Sequence, residues 1–171
     1  KAAWLADEGR KATSEILRRE RETVFRLSRA AEYRDPETGA HILRMAHFSE
    51  LIATGIGLSS ADQQLILEAA PMHDIGKVGI PDNILLKPGR LTPEEFEVMK
   101  LHANYGYEIL KDSSSEVLKA GASIAIGHHE KFDGTGYPRQ LKGEDIPLVG
   151  RIVAVADVFD ALTSERPYKK A

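Results

Sequence analysis

The chain has 171 residues, of which 42% are hydrophobic, so it is long enough to form one domain with a buried core. Its formal net charge is -3, whereas a DNA-binding protein is expected to carry a net positive charge. Cysteine is absent, which excludes disulfides and thiolate metal ligands. No apolar run reaches the roughly 18 residues needed to span a bilayer. We therefore predict a cytoplasmic protein with no membrane segment in this chain.

Residues 1–34 predict one long amphipathic helix, because apolar residues such as Leu5, Ala12, Ile16 and Leu27 recur near heptad spacing. Two interpretations are open. The helix packs on its own domain, or it is a linker that arrives from an upstream sensor or receiver domain and supports a homodimer. We treat residues 1–34 as this linker or signalling helix and residues 35–171 as the main domain.

The next two predicted helices are read from their caps and apolar spacing. After the break "RDPETGAH", Asp35 or Thr38 can cap the helix "HILRMAHFSELIATGIG". Ser59 or Ser60 can cap the following helix, which we extend through "SSADQQLILEAAPMHDIGKVG". The proline-containing stretch "IPDNILLKPGRL" is expected to be a loop.

The second half of the chain predicts three more helices. Thr92 is a suitable N-cap and Pro93 a suitable first residue for "TPEEFEVMKLHANYGYEILK". The apolar pattern of "SEVLKAGASIAIGHHE" is helical, and a glycine-containing loop follows it. The segment "IPLVGRIVAVADVFDALTS" has a core with strand propensity, but its length and alanines favour a buried helix. No alternating strand pattern occurs elsewhere, so we expect an all-α fold.

Several side chains of metal-binding type lie where helices can bring them together. Glu37 and His41 are four residues apart and so share a helix face. Asp157 lies inside an apolar segment, where an unpaired carboxylate would be costly. His47, six residues after His41, lies off that face and is assigned no metal role. The candidate ligands are Glu37, His41, His73, Asp74, His102, His128, His129 and Asp157.

The chemistry of this set indicates a metal centre. Each member alone has an ordinary structural explanation, and a lone His102 on an amphipathic helix is more often structural than a ligand. Together, imidazole and carboxylate without sulfur suit iron, manganese, cobalt or zinc. One ion accepts about four to six ligands, so two or three metals are predicted, with Asp74 as the natural bridge. Metal pairs of this kind serve phosphoester hydrolysis.

The motifs "HDIGKVGIPD", "HHEKFDGTGYP" and "DVFDALTSERPYKKA", in this order, resemble those of the HD-GYP family, a branch of the HD-domain metal-dependent phosphohydrolases. The resemblance runs from about Arg34 to Ala171. It implies an HD-domain helical bundle with iron or manganese as the favoured metals. It also implies hydrolysis of the bacterial second messenger cyclic di-GMP to the linear dinucleotide and, in some members, GMP. Because the family usually continues past "RPYKKA", we expect a domain truncated at its C-terminus.

The resemblance also implies roles for individual residues. The family's metal ligands fall on the eight candidates, and Glu37 matches a position that is acidic in members of the three-metal form. Lys77 matches the lysine expected to reach the scissile phosphate, so Asp74 and Lys77 are the predicted catalytic residues. The positions that contact the substrate's phosphates fall on Arg44, Arg166 and Lys169.

Two questions remain open from the sequence. The loop residues Asp133, Gly136, Tyr137 and Pro138 either line the nucleotide pocket or present a surface to a partner protein. The domain is either an active phosphodiesterase or a catalytically weak signalling module that contacts other proteins, such as diguanylate cyclases. A further hypothesis is a phosphohydrolase for another cyclic dinucleotide or for a nucleotide monophosphate, and of these two the "GYP" loop favours a cyclic dinucleotide. The complete ligand set and Lys77 favour an active enzyme over the signalling module, and the resemblance implies cyclic di-GMP as its substrate.

Overall fold

The computed structural model describes residues 2–34 and 39–164, and within these ranges the protein is all-α, as predicted. No strand occurs in this part of the chain. None of its helices is both long and apolar enough to cross a membrane. The α-helices are α1 Ala2–Glu32, α2 Gly39–Gly55, α3 Ser60–Ala69, α4 Asp82–Leu85, α5 Pro93–Leu110, α6 Glu116–Gly127 and α7 Leu148–Thr163.

Two of the predicted helix starts are confirmed by their caps. The Ser59 hydroxyl accepts a hydrogen bond from the backbone N–H of Asp62 at the start of α3. Thr92 and Glu95 form a reciprocal capping box at the start of α5, and Pro93 occupies the first turn. The predicted caps Asp35 and Thr38 of α2 lie outside the described residues.

The third predicted helix ends earlier than expected, at Ala69. Pro71 explains the break, because proline has no N–H to donate and its ring clashes with the preceding turn of an α-helix. The chain continues as two short 3-10 helices, Ala70–Met72 and Ile75–Gly79. His73 and Asp74 occupy the turn between them, so this pair lies on a bend of the chain rather than on a helix.

The core lies between α2, α3, α6 and α7, where buried residues include Met45, Met72, Ile124 and Val153. Helix α5 packs against α6 and against the 3-10 segment Ile75–Gly79. Helix α7 confirms the preference for a helix over a strand, but only one of its faces is buried. Its other face exposes apolar side chains, namely Val155, Val158, Phe159 and Leu162.

Helix α1 is attached to the domain through its C-terminal half. Val24 and Ala31 are buried, and Arg21 forms an ion pair with Glu68 of α3 at 2.8 Å. Just beyond the helix, Arg34 donates to the backbone carbonyl oxygens of Val78 and Ile80 and pairs with Asp82. The end of α1 is thus fixed to the chain that follows Asp74. Its N-terminal half leaves apolar residues such as Ile16 exposed.

A close approach between Gly76 and α5 sets the position of the bend. A Cβ at residue 76 would lie 1.9 Å from the carbonyl oxygen of His102 and 2.4 Å from the backbone nitrogen of Gly106. Only glycine fits against the helix backbone at these distances. The approach brings Asp74 and His102, both predicted ligands, to the same place.

We therefore predict that Gly76→Ala destabilises the protein by about 3 kcal/mol, because the added methyl overpacks rigid backbone. The free energy of unfolding measured in urea tests this prediction. Gly9→Ala on α1 is the matched control, since no atom lies within 4 Å of its added Cβ, and stability should not fall. Equal stability of the two variants would contradict the packing argument.

Candidate metal centre

The structure brings seven of the eight predicted ligands together in two adjacent groups, while Glu37 lies outside the described residues. Within each group, one ligand atom of every side chain lies within 4.8 Å of one from each other member. The first group is Asp74, His102, His128 and His129, and the second is His41, His73 and Asp157.

Distant parts of the chain supply these side chains. Helices α2, α5 and α7 contribute His41, His102 and Asp157, respectively, and the remaining ligands lie on bends that end or interrupt helices. His128 is the C-cap of α6, so the doubled histidine follows that helix rather than lying on it. The ring centroids of His73 and His128 are 5.3 Å apart, which joins the two groups.

Three buried histidines are oriented by the backbone. The Nδ1 atoms of His73, His102 and His128 lie 3.2, 2.7 and 3.1 Å, respectively, from carbonyl oxygens three or four residues earlier in the chain. A carbonyl oxygen only accepts, so we assign the proton to Nδ1 in each neutral ring. Each Nε2 then presents a lone pair, which is the arrangement of a metal-ligating histidine.

These lone pairs point at a carboxylate. The Nε2 atoms of His73 and His102 lie 3.2 Å from oxygens of Asp74, and that of His128 lies at 3.5 Å. All three nitrogens and Asp74 Oδ1 are buried without a hydrogen-bond partner. Lone pairs and a negative oxygen repel each other unless a cation lies between them. The residues therefore fit a bound metal ion.

The charge balance supports the same conclusion. Burial raises the pKa of Asp74, but Lys77 and the neighbouring imidazoles outweigh it and hold that pKa well below its usual value. Burial lowers the pKa of His73, yet the Asp74 carboxylate raises it to about 9. The centre therefore requires positive charge, which either protons or divalent ions supply.

Asp160, which the sequence analysis missed, orients the second group. It is fully buried on α7, and its Oδ2 lies 2.6 Å from Nδ1 of His41. This carboxylate–histidine pair leaves Nε2 of His41 facing Asp157 Oδ1 at 3.5 Å. The sequence feature that could have predicted this role is a second acid in an apolar helix, about one turn after Asp157.

Arg44, a predicted substrate contact, also binds Asp160. Its Nε donates to Oδ1 at 2.6 Å and its Nη2 donates to Oδ2 at 3.0 Å. This bidentate pairing fixes the guanidinium beside the second group. Its contact with substrate remains a prediction, and the other two predicted phosphate contacts, Arg166 and Lys169, lie outside the described residues.

Lys77, the other predicted catalytic residue, is directed into the first group. Its Nζ lies 2.8 Å from Asp74 Oδ2, and its side chain is largely buried. Both residues belong to the bend after α3, whose position depends on Gly76. An ammonium in this place neutralises part of the carboxylate charge and lies beside any anion that enters the centre.

The loop after the doubled histidine is held by Glu130, a second residue that the sequence analysis did not assign. Its buried carboxylate accepts hydrogen bonds from the backbone N–H groups of Arg139 at 2.6 Å and Leu141 at 3.0 Å. The loop thereby returns to the centre, where the Tyr137 ring stacks on His129 with centroids 4.7 Å apart. In the sequence, the position of Glu130 directly after the doubled histidine was the feature that could have indicated this role.

The other predicted loop residues have local roles in the loop's shape. A Cβ at Gly136 would lie 2.3 Å from the backbone nitrogen of Lys131, so glycine is required there. Asp133 Oδ1 accepts from the backbone N–H and the hydroxyl of Thr135 at 2.8 and 2.7 Å. Pro138 follows Tyr137 and is partly buried. Of the four, Tyr137 has its side chain against a candidate ligand.

The sequence profile of the HD domain family matches residues 12–171. The chain belongs to the HD domain family. The HD-GYP resemblance found in the three motifs is confirmed by relatives in the same family.

Several relatives are similar over most of this chain. It is 56% identical over 158 residues to the cyclic di-GMP phosphodiesterase response regulator RpfG of Xanthomonas campestris pv. campestris, covering 92% of this chain and 42% of that protein. It is 57% identical over 143 residues to a cyclic di-GMP phosphodiesterase of Thermotoga maritima, covering 84% and 39%. A 3'3'-cGAMP-specific phosphodiesterase 2 of Vibrio cholerae is 49% identical over 149 residues, covering 87% and 28%. The chain thus spans less than half the length of these relatives.

We predict that Asp160→Asn weakens metal binding about 10- to 100-fold, because the neutral amide no longer orients His41 or pairs with Arg44. Titration of the purified protein with Mn²⁺ in a chelator buffer measures this change. Asp145→Asn, an exposed acid in the short 3-10 helix before α7, is the control and should bind Mn²⁺ like the unaltered protein. Unchanged affinity in Asp160→Asn would contradict the orienting role.

Asp160 also predicts a pH dependence of stability. Burial raises the pKa of its carboxyl, but hydrogen bonds from Arg44 and His41 lower it from 3.8 to about 2. The ionised form therefore stabilises the fold by about 2 kcal/mol above pH 4, and this contribution is lost as the pH falls towards 2. In Asp160→Asn that part of the stability should be missing at pH 7. The free energy of unfolding of this variant should also change less between pH 4 and 2 than that of the unaltered protein. Parallel curves for both proteins would refute it.

We predict that Glu130→Gln loosens the loop. The carboxylate now accepts one hydrogen bond at each oxygen, whereas the amide nitrogen of glutamine cannot accept a hydrogen bond from the backbone N–H that it would face. Hydrogen exchange at residues 137–141 should accelerate, and stability should fall by about 1–3 kcal/mol. Glu144→Gln, an exposed acid in the same stretch, is the control. Equal exchange in both variants would show that Glu130 does not hold the loop.

Proposed function

We propose that this chain is the catalytic region of a metal-dependent phosphodiesterase that hydrolyses cyclic di-GMP to the linear dinucleotide, with GMP as a further product. The observation that carries the proposal is the convergence of buried imidazole Nε2 atoms on the Asp74 carboxylate. The names of the bacterial relatives support the substrate class. A role in bacterial signal transduction follows from that substrate.

The two ligand groups are proposed to hold two divalent ions, with Asp74 between them. Iron or manganese suits a set of imidazoles and carboxylates without sulfur. Glu37 is proposed as an additional ligand for a third ion. When bound, such ions polarise a phosphoryl oxygen and lower the pKa of water, which is the chemistry that phosphodiester hydrolysis needs.

The chain's own cations are proposed to bind and orient the substrate. Lys77, whose Nζ lies 2.8 Å from Asp74 Oδ2, neutralises charge on the phosphoryl oxygens of the scissile group. Arg44 keeps a fixed orientation through Asp160 and presents the rest of its guanidinium to a phosphate. Arg166 and Lys169 are proposed to hold the second phosphodiester.

The loop containing Tyr137 is proposed to line the nucleotide pocket. Its ring stacks on His129, and burial raises the pKa of its hydroxyl, which therefore remains a neutral donor at physiological pH. Glu130 fixes the loop from behind, so the ring has a defined place. A loop held in this way favours a pocket wall over a mobile partner-binding surface.

Partners beyond the substrate are also proposals. The name of one relative, a response regulator of which the matched region covers 42%, supports an upstream receiver or sensor domain before α1. The exposed apolar residues of α1, such as Ile16, favour a homodimer through that helix. Diguanylate cyclases remain candidate partners, and the cytoplasm is the proposed location, where cyclic di-GMP is produced.

The test is to purify the chain without added metal, measure bound transition metals by elemental analysis, and assay the same sample on cyclic di-GMP. We expect two to three equivalents of iron or manganese and release of the linear dinucleotide. Asp74→Asn should lose bound metal and at least about a hundredfold in turnover, since even outer partners of metal ligands cost 10–100-fold.

His47→Ala is the matched control for this experiment. His47 is an exposed histidine of α2 that pairs with Glu50 and lies in neither ligand group. Its removal should change neither metal content nor turnover. If the protein takes up no metal even after reconstitution, the enzyme proposal fails and a signalling module is the remaining hypothesis. If the metal-bound protein cleaves other cyclic dinucleotides but not cyclic di-GMP, the proposed substrate is wrong and the proposed enzyme class stands.

A further inference from the structure

Beside the candidate metal centre, two side chains of α5 contact the Tyr137 ring, which stacks on His129. The ring centroid of Phe96 lies 6.1 Å from that of Tyr137, with the ring planes nearly perpendicular at 85°. Nζ of Lys100 lies 5.5 Å from the centroid of Phe96 and 5.7 Å from that of Tyr137. An aromatic and cationic wall thus begins at a candidate ligand and runs outward to the surface.

The wall is open to a ligand at its outer end. Phe96 is 45% exposed and is not among the residues that form or pack against the core, although it lies on the same helix as His102. Lys100 is more buried, with 24% of its side chain exposed, and its Nζ pairs with the exposed Glu97 at 2.6 Å. A pair with an exposed carboxylate is weak and exchanges readily for another acceptor. Single exposed aromatics are common, so the contacts that join Phe96 and Lys100 to Tyr137 carry more weight than the exposure of Phe96.

A cyclic dinucleotide needs such a wall. The candidate metal centre and Lys77 are suited to bind the phosphates of such a substrate. Each of its two bases, by contrast, offers a flat face for stacking and an edge for hydrogen bonds. Bases stack on aromatic rings whatever their sequence. The edge discriminates, since guanine presents the acceptors O6 and N7, while adenine places an amino donor where guanine has O6. An ammonium group has donors only, so Lys100 matches guanine better than adenine.

We propose that Phe96 and Lys100 form a purine subsite in which one substrate base stacks on the Phe96 ring while Lys100 donates to O6 and N7 of guanine. This inference rests on the proposed function and adds its base specificity. Phe96 supplies affinity for any purine, and Lys100 supplies the preference for guanine. Neither residue acts on the scissile phosphate.

The test uses bis(p-nitrophenyl) phosphate, a phosphodiester without a base, as the reporter of the metal centre. Inhibition of its hydrolysis by cyclic di-GMP and by cyclic di-AMP gives an inhibition constant for each dinucleotide. We expect Phe96→Ala to weaken both ligands about tenfold. Lys100→Met keeps the length of the stem but removes the donor, and should reduce the preference for cyclic di-GMP over cyclic di-AMP about tenfold. Basal hydrolysis of the reporter should remain unchanged in both variants.

Matched controls exist for both substitutions. Lys119→Met removes a lysine of α6 that pairs with Glu116 three residues earlier, as Lys100 pairs with Glu97. Trp4→Ala removes an exposed aromatic ring from the N-terminal half of α1, one that is 65% exposed. Both controls should leave the two inhibition constants within about twofold of the unaltered protein.

Two results would overturn the subsite. Inhibition constants that remain unchanged in Phe96→Ala and Lys100→Met would show that the base lies elsewhere. Loss of reporter hydrolysis in these variants would show that they act on the metal centre rather than on a base. Failure of the unaltered, metal-loaded protein to hydrolyse either the reporter or cyclic di-GMP refutes the proposed function instead, and it is seen before any variant is compared.

Discussion

One buried carboxylate constrains the centre of this protein. Asp74 lies within 3.5 Å of the Nε2 atoms of three histidines and 2.8 Å from Nζ of Lys77. An anion removed from water is tolerated only where positive charge is gathered around it. That requirement determines how deeply α5 and the end of α6 approach the bend after α3. The glycine at position 76 makes the approach possible, because no side chain separates the bend from the α5 backbone.

The groups around the centre are held by partners that do not themselves face the open site. Backbone carbonyls orient three imidazoles, Asp160 orients His41, and Glu130 fixes the loop that carries Tyr137. Each partner acts on one side of a ring or loop and leaves the other side available. The result is a set of donors whose directions are fixed before a cation or a phosphate arrives, which lowers the cost of binding either one.

The sequence was sufficient where the signal was local or chemical. Thr92 and Pro93 predicted the start of α5, and the types of the ligand side chains predicted a shared centre. The third helix was extended too far because apolar spacing continued beyond Pro71, whose missing N–H decided the outcome. Asp160 was missed because its partner His41 lies 119 residues away, a separation that no periodic pattern reports. Apolar character likewise could not tell which face of α7 is covered.

The dispersal of the ligands along the chain has a consequence for how the protein assembles. His41 and Asp157 meet only after the helices between them have docked, so no short fragment contains a working centre. Contacts of such long sequence separation form late and slow the folding of a helical domain. Uptake of the proposed ions would then be coupled to global folding rather than to a local hairpin, since a ligand that binds only the folded chain raises the unfolding free energy by RT ln(1 + [L]/Kd). For a chain that binds the proposed ions, depletion of metal would thereby lower the population of folded chains as well as the occupancy of the site.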